Sequence, residues 1–320
     1  MKKYTFFSGL LAIMVSGLLA SCAADSELLS VPETASTTFN VGLDKLTRAG
    51  QPFDKHVYDA KMYLYEGRNE ADGTISYAFK QQFILEDSQL EVKELNTKSQ
   101  YKAVFMARTK DETPELPNLE GLDTNPGYKE ATADYIVAQT TETEKNIFRS
   151  VLTFTPNANN SVFSTMLTRQ NGALEVRIKN VPNMESVTLH VNGHTTMHLH
   201  DGTGGQVITV GEPTQLSKTV TEGLTASEVR VKINLLPQED ITENHTDATG
   251  QTNYLEIVTL NNGTRETKRY PLKVKDKPIP IYPNQVTWLT LGNGSGGFTV
   301  AFSGNINLDD DNWDGWIENF

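Results

Sequence analysis

The chain has 320 residues, a formal net charge of −12 and one cysteine. An acidic balance of that size excludes binding to nucleic acid or anionic lipid by charge. A single cysteine excludes an internal disulfide framework, so the fold must rest on apolar packing.

Lys2 and Lys3 open the chain and an apolar run follows from Phe6 to Ala20. The run is too short for a permanent membrane helix and suits the core of a signal peptide. Leu19-Ala20-Ser21-Cys22 matches the Leu-x-small-Cys pattern that bacterial lipoprotein signal peptidase cuts once a diacylglycerol is attached to the sulfur. The reading is a lipoprotein signal peptide over 1–21 and a lipidated N-terminus at Cys22. Each buried acyl methylene contributes about 0.8 kcal/mol and two chains already anchor stably, so the protein is expected to stay on a membrane. The remaining 299 residues lose two lysines, stand at −14 and have length for about two domains. Residues 22–37 are polar, with Pro32, and read as a lipidated tether.

After the tether, side chains alternate along the chain and helical periodicity is nearly absent. Phe39, Val41 and Leu43 share one strand face, as do Ala60, Met62 and Leu64 in YDAKMYLYEG. ISYAFKQQFIL (75–85), LEVKEL (90–95) and YKAVFMART (101–109) follow at spacings typical of a β-sandwich. Residues 110–131, with Pro114, Pro117, Pro126 and Gly127, read as a long loop. Strands are expected again over 134–139 and 147–156, and PNANNS (156–161) is the expected hinge. Four Asn-Gly pairs in the second half, at 171–172, 192–193, 262–263 and 293–294, read as turns of antiparallel hairpins, because a type I′ turn needs positive φ twice. The expectation is an all-β protein of two tandem antiparallel β-sandwich domains, 38–158 and 159–320.

Four of the six histidines, His190, His194, His198 and His200, lie within eleven residues. If Asn192-Gly193 is a two-residue turn, His194, His198 and His200 share a face with Val187, Leu189 and Val191, and His190 lies on the other. A metal site is one reading and polar hairpin positions are the other; no carboxylate stands in register to support the imidazoles. At the C-terminus, Asp310, Asn312, Asp314 and Gly315 match the opening of an EF-hand calcium loop, but the twelfth-position glutamate would fall at 321. Ile306, Leu308, Trp313, Trp316 and Phe320 place apolar anchors in that acidic tail and read as contacts to a partner or to the chain's own domain. GNGSGGF (292–298) sits between strands without a following helix and reads as a turn rather than a phosphate cradle. No nucleophile or nucleotide motif occurs, so the reading is a protein that is not an enzyme and needs no cofactor.

VYDAKMYLYEGRNEADG resembles the opening of fimbrial subunits with a Leu-Tyr-x-acidic-Gly core, and STMLTRQNGALEVRIKNV is similar to the start of their second domain. Together with the lipid-attachment pattern, these stretches resemble the fimbrillin superfamily of type V pilus lipoproteins, most of all its fimbrillin-associated anchor subunits. Anchor relatives often carry further cysteines behind the lipid site, and this chain has none. The resemblance implies two transthyretin-like sandwiches, a surface-exposed outer-membrane lipoprotein that belongs to a fimbrium, and assembly with other fimbrial subunits by strand donation. In that scheme a donated strand completes an open sheet edge. It also implies an adhesive role toward a host or glycan receptor, and maturation after an arginine. Arg48-Ala49, directly behind the Phe39–Leu43 strand, would be that cleavage site. The competing function is a surface glycan-binding lipoprotein of a nutrient-uptake system, in which Trp288, Trp313 or Trp316 would stack on sugar.

Overall fold

The computed structural model describes residues 33–43, 51–52, 55, 58–110, 113–122, 126–135, 145–158, 161–225, 227–241, 253–274, 278–291 and 298–303; only the backbone is described for 51–52 and 298–303. The described residues are all-β, with a single 3-10 turn at Thr203–Gly205, and the strands build sandwich-like layers. No helix among them is long and apolar enough to cross a membrane.

The first sandwich is built around β1 (Thr34–Leu43). The strand β2 (Gln51–Pro52) pairs with its end, β3 (Tyr58–Asn69) and β4 (Ile75–Ile84) form a hairpin, and β5 (Gln89–Asn96) runs antiparallel to β1. β6 (Tyr101–Thr109) and β8 (Ile147–Phe154) extend the β3–β4 sheet in the order β4-β3-β6-β8. β9 (Ser161–Arg169) ties the two sheets together: Ser161–Leu167 lies parallel to β1, and Thr168 and Arg169 pair with Arg149 and Phe148 of β8. The core between the layers holds Phe39, Val41, Leu43, Met62, Leu64, Phe105, Phe154 and Leu167.

β3 and β6 are buried on both faces. Met62 and Leu64 enter that core, whereas Tyr63, Tyr65, Val104 and Met106 face the opposite way and are equally buried. They are covered by residues 113–122 and 126–135, which bring in Leu116, Leu119, Tyr128 and Tyr135. Tyr63 Oη donates to the Pro117 carbonyl at 2.8 Å, and Lys61 Nζ donates to those of Leu116 and Pro117 at 3.0 and 3.2 Å. The proline-rich stretch that reads as a loop is thus the lid of a second hydrophobic layer, which explains the unbroken apolar runs of β3 and β6.

The second sandwich packs β10 (Gly172–Lys179), β15 (Glu228–Leu235), β18 (Val286–Leu291) and β19 (Phe298–Ser303) against β11 (Met184–Gly193), β14 (Thr214–Val220), β16 (Tyr254–Asn261) and β17 (Thr264–Pro271). Leu174, Val176 and Ile178 meet Val187, Leu189 and Val191 in its core. A small sheet joins the halves: β12 (Thr196–His198) pairs with β13 (Thr209–Val210) and with β7 (Thr132–Asp134), which comes from the first half.

Several details differ from the sequence reading. The hinge expected at 156–161 is the connection from β8 to β9, and β9 belongs to the first sandwich, so the chain passes from one sandwich to the other at Gln170 and Asn171. The tether expected over 22–37 overlaps β1, which already begins at Thr34. The sheets are not wholly antiparallel, since β1–β9 and β10–β18 are parallel pairs. Among the described Asn-Gly pairs, only Asn262-Gly263 makes a hairpin with both residues at positive φ, 52° and 83°. Gly172 and Gly193 are there for space. A Cβ on Gly172 would come within 2.2 Å of the Tyr282 carbonyl oxygen, and one on Gly193 within 2.9 Å of Leu235 Cδ2. Asn171 is buried and its side-chain oxygen accepts from Ile147 N at 3.1 Å, so it serves the junction rather than a turn. The pair at 293–294 lies outside the described residues.

Candidate functional site

β1 has partners on both edges. Thr34–Asn40 pairs with Asn96–Gln89 of β5, with a bulge between Ala35 and Thr37, and Thr37–Leu43 pairs with Ser161–Leu167 of β9. Alternation sends Ala35, Thr37, Phe39, Val41 and Leu43 into the sandwich, and all five are buried. Phe39 is the anchor. Its ring meets Phe105 at 5.5 Å and Phe154 at 5.2 Å edge-on, and stacks on Phe163 at 6.2 Å. Fully burying Phe39, Val41 and Leu43 stabilises by about 1.5–3 kcal/mol each. Thr37 breaks the apolar row: it is completely buried and its hydroxyl has no hydrogen-bond partner among the described residues. The first described strand, β1, thus lies between β5 and β9 with its alternate side chains in the core.

Arg48 and Ala49, the expected cleavage site, lie outside the described residues, in the connection from Leu43 of β1 to Gln51 of β2. Cys22, the EF-hand-like residues Asp310, Asn312, Asp314 and Gly315, and the tail anchors Ile306, Leu308, Trp313, Trp316 and Phe320 also lie outside them. Trp288 is described on β18, where the Arg177 guanidinium lies 4.3 Å from its ring centroid.

The histidines do not gather as the hairpin reading expected. β11 pairs with β14 and β16, not with β12, so Asn192-Gly193 is no turn; His190 is on the other face, as expected, stacked on Tyr254 at 4.4 Å. Only His198 and His200 come together, with ring centroids 4.7 Å apart. Among the described residues no group of three or more histidine, cysteine, aspartate or glutamate side chains is placed to hold a metal ion. His200 lies 5.5 Å from the Tyr128 ring, and Tyr128 Oη donates to Asp201 Oδ1 at 2.8 Å. Burial, His198 and Arg149 together hold the His200 pKa below the usual imidazole value.

Arg149, which the sequence reading passed over, is the central polar residue of the junction. It is 3% exposed, and its Nη1 donates to the carbonyls of His198, Leu199 and His200 at 3.2, 3.4 and 2.7 Å. Its Nη2 reaches the Gly205 and Gln206 carbonyls at 3.5 and 3.2 Å. One β8 side chain thereby fastens the 198–206 loop of the second half to the first sandwich. Arg108 does the same for the covering segment, donating to the carbonyls of Pro114, Asp134 and Tyr135. A charged residue inside the apolar run IFRSVLTF was the available signal for such a role.

No protein-family model matches the chain, and no curated protein matches it. Solved structures do resemble it. Its structural neighbours include fimbrial and adhesion proteins, and one from Bacteroides thetaiotaomicron described as polysaccharide-binding. A protein of Bacteroides eggerthii assigned to cell adhesion is 12% identical with a TM-score of 0.49, over 85% of this chain and 95% of its own. The fimbrial anchor protein Mfa2 of Porphyromonas gingivalis is 10% identical with a TM-score of 0.44, over 84% and 95%. The tip fimbrial protein Mfa3 of the same organism is 13% identical with a TM-score of 0.41, over 84% and 99%.

Proposed function

We propose that the chain is a lipid-anchored fimbrial subunit of the outer membrane, an anchor or an accessory or tip subunit, that assembles by strand donation and supports adhesion. The observation that carries this reading is the seat of β1: an N-terminal strand, paired on both edges, with alternate apolar side chains in pockets. The strand begins twelve residues after Cys22, so an acylated Cys22 would be tied to the body through β1 itself. While β1 stays in place, the body is held at the membrane and the groove is full. Cleavage at Arg48-Ala49 would detach the lipid and leave β1 held by non-covalent contacts alone, so a donor strand from another subunit could replace it. An anchor subunit would remain uncut.

The test is the N-terminus of the surface form. An acylated start at Cys22, lost with palmitate incorporation and membrane fractionation in Cys22→Ser, is the result expected of the anchor; a start at Ala49 is that of a donor-accepting tip or stalk. A membrane-bound Cys22→Ser protein without acyl label would overturn the reading.

A further inference from the structure

Asparagine followed by glycine has a chemical reactivity besides its turn preference. No side chain shields the glycine nitrogen, so it can attack the asparagine side-chain carbonyl carbon and close a five-membered ring. Closure needs an amide free to swing over the next residue, an N–H without other bonds, and room for the ring. The described Asn-Gly pairs differ in these respects. Asn171 is completely buried and its amide is held at both ends: Oδ1 accepts from Ile147 N at 3.1 Å, and Nδ2 donates to Asn146 Oδ1 at 3.3 Å and to the Gly172 carbonyl at 3.4 Å. The Tyr282 carbonyl closes the space beside Gly172. Asn192 and Gly193 are buried within β11, in register with Gln215 and Thr214 of β14, and Leu216 and Leu235 fill the space beside Gly193.

Asn262 and Gly263 are exposed at the tip of the β16–β17 hairpin, enclosed by the register pair Asn261 and Thr264. Neither the Asn262 side chain nor the Gly263 N–H has a hydrogen-bond partner among the described residues, and a Cβ on Gly263 would meet nothing within 4 Å. The preceding Asn261 is held, since its Oδ1 accepts from Asn183 Nδ2 at 3.0 Å. β17 pairs with β16 alone, so the tip can rearrange without breaking a second ladder.

We propose that Asn262 is a site of spontaneous deamidation in the folded protein, through a succinimide formed with Gly263, and that the fold protects Asn171 and Asn192 from the same reaction. Gly263 N forms a bond to Asn262 Cγ, the Cγ–Nδ2 bond breaks, and the Gly263 amide proton leaves with Nδ2 as ammonia. Water then opens the ring at either carbonyl, leaving aspartate at 262 or isoaspartate, whose main chain runs through Cβ. Both products add one negative charge to the tip. Aspartate tolerates the left-handed conformation and keeps the turn. Isoaspartate lengthens the connection that fixes the register of Asn261 with Thr264. The inference does not rest on the fimbrial reading.

The unaltered full chain tests this directly. It is aged at neutral pH, folded and in guanidinium, and each asparagine is followed by peptide mass mapping with electron-transfer fragmentation. In the folded chain Asn262 should convert at least about tenfold faster than Asn171 or Asn192, and guanidinium should bring the three rates within about threefold. Gly263→Ala, which shields the nitrogen, should slow conversion at 262 about tenfold. Equal rates at the three sites in the folded chain would overturn the proposal. So would a tenfold ratio that persists in guanidinium, an Asn262 that stays intact while the denatured chain converts, or an unchanged rate in Gly263→Ala.

Discussion

β1 and β10 hold corresponding places in the two sandwiches. Each has an antiparallel neighbour on one edge, β5 or β15, and a parallel neighbour on the other, β9 or β18. Each sends an alternating apolar row into its core. They differ in how the chain holds them. β10 is tied at both ends, two residues after β9 and four before β11, and both of its faces are buried. β1 is buried on one face only, and its amino end leads to no other described strand. The same packing geometry is thus tied to described strands at both ends in the second sandwich; under the strand donation proposed above, β1 would be the strand that leaves and is replaced.

The comparison can be broken at the anchors. Phe39→Ala should cost about 3–5 kcal/mol, and Ile178→Ala about 2–5 kcal/mol, both measured by denaturant unfolding. Only the first should also allow β1 to be exchanged for an added peptide of sequence TASTTFNVGL, read by mass spectrometry after cleavage behind Leu43. Equal exchange resistance in both variants would remove the distinction between a seated and a built-in strand. Arg149→Met tests whether the halves are fastened independently of either strand. Losing charged hydrogen bonds to a buried cation's acceptors should cost about 1.5–3 kcal/mol and expose the 198–206 amides to hydrogen exchange, with little effect on β1.

The fold was largely legible in the sequence because period-2 alternation is a local signal, and β1, β3, β6 and β10 all display it. The one hairpin read correctly among the described Asn-Gly pairs, 262–263, is the one with no tertiary demand on its glycine, whose added Cβ would meet nothing. At Gly172 and Gly193 the glycine answers to Tyr282 and Leu235, far away in sequence, and no local pattern reports that. The parallel seat of β1 beside β9 is hidden for the same reason. The residues forming it lie more than a hundred positions apart, so the boundary was read at the turn 156–161 rather than after Arg169. Apolar residues of the site were visible from the alternation of Phe39, Val41 and Leu43; its polar exception, Thr37, looked like any strand threonine until its burial was known.

Two smaller effects sharpen the picture. His200 has its folded pKa held below the 6.5 reference, first by burial and then by His198 and Arg149, so the unfolded chain takes up this proton first on acidification. Stability present above that value should fall as pH drops through it toward the folded pKa, and His200→Gln should flatten the fall in a series of thermal melts. Thr37→Val removes a buried hydroxyl that lacks a partner while keeping its shape, and should leave stability unchanged or raise it by about 1 kcal/mol. A loss instead would mean that the hydroxyl has a partner in the seat.

The central claim is that β1 fills a groove able to accept a separate strand, and strand complementation tests it most directly. A protein beginning at Ala49 should bind the peptide TASTTFNVGL with one-to-one stoichiometry in isothermal calorimetry, bind a Phe39→Ala peptide at least about tenfold more weakly, and regain a cooperative melt with the first peptide. A protein beginning at Ala49 that is equally stable without the peptide, or that binds the two peptides alike, would contradict the account.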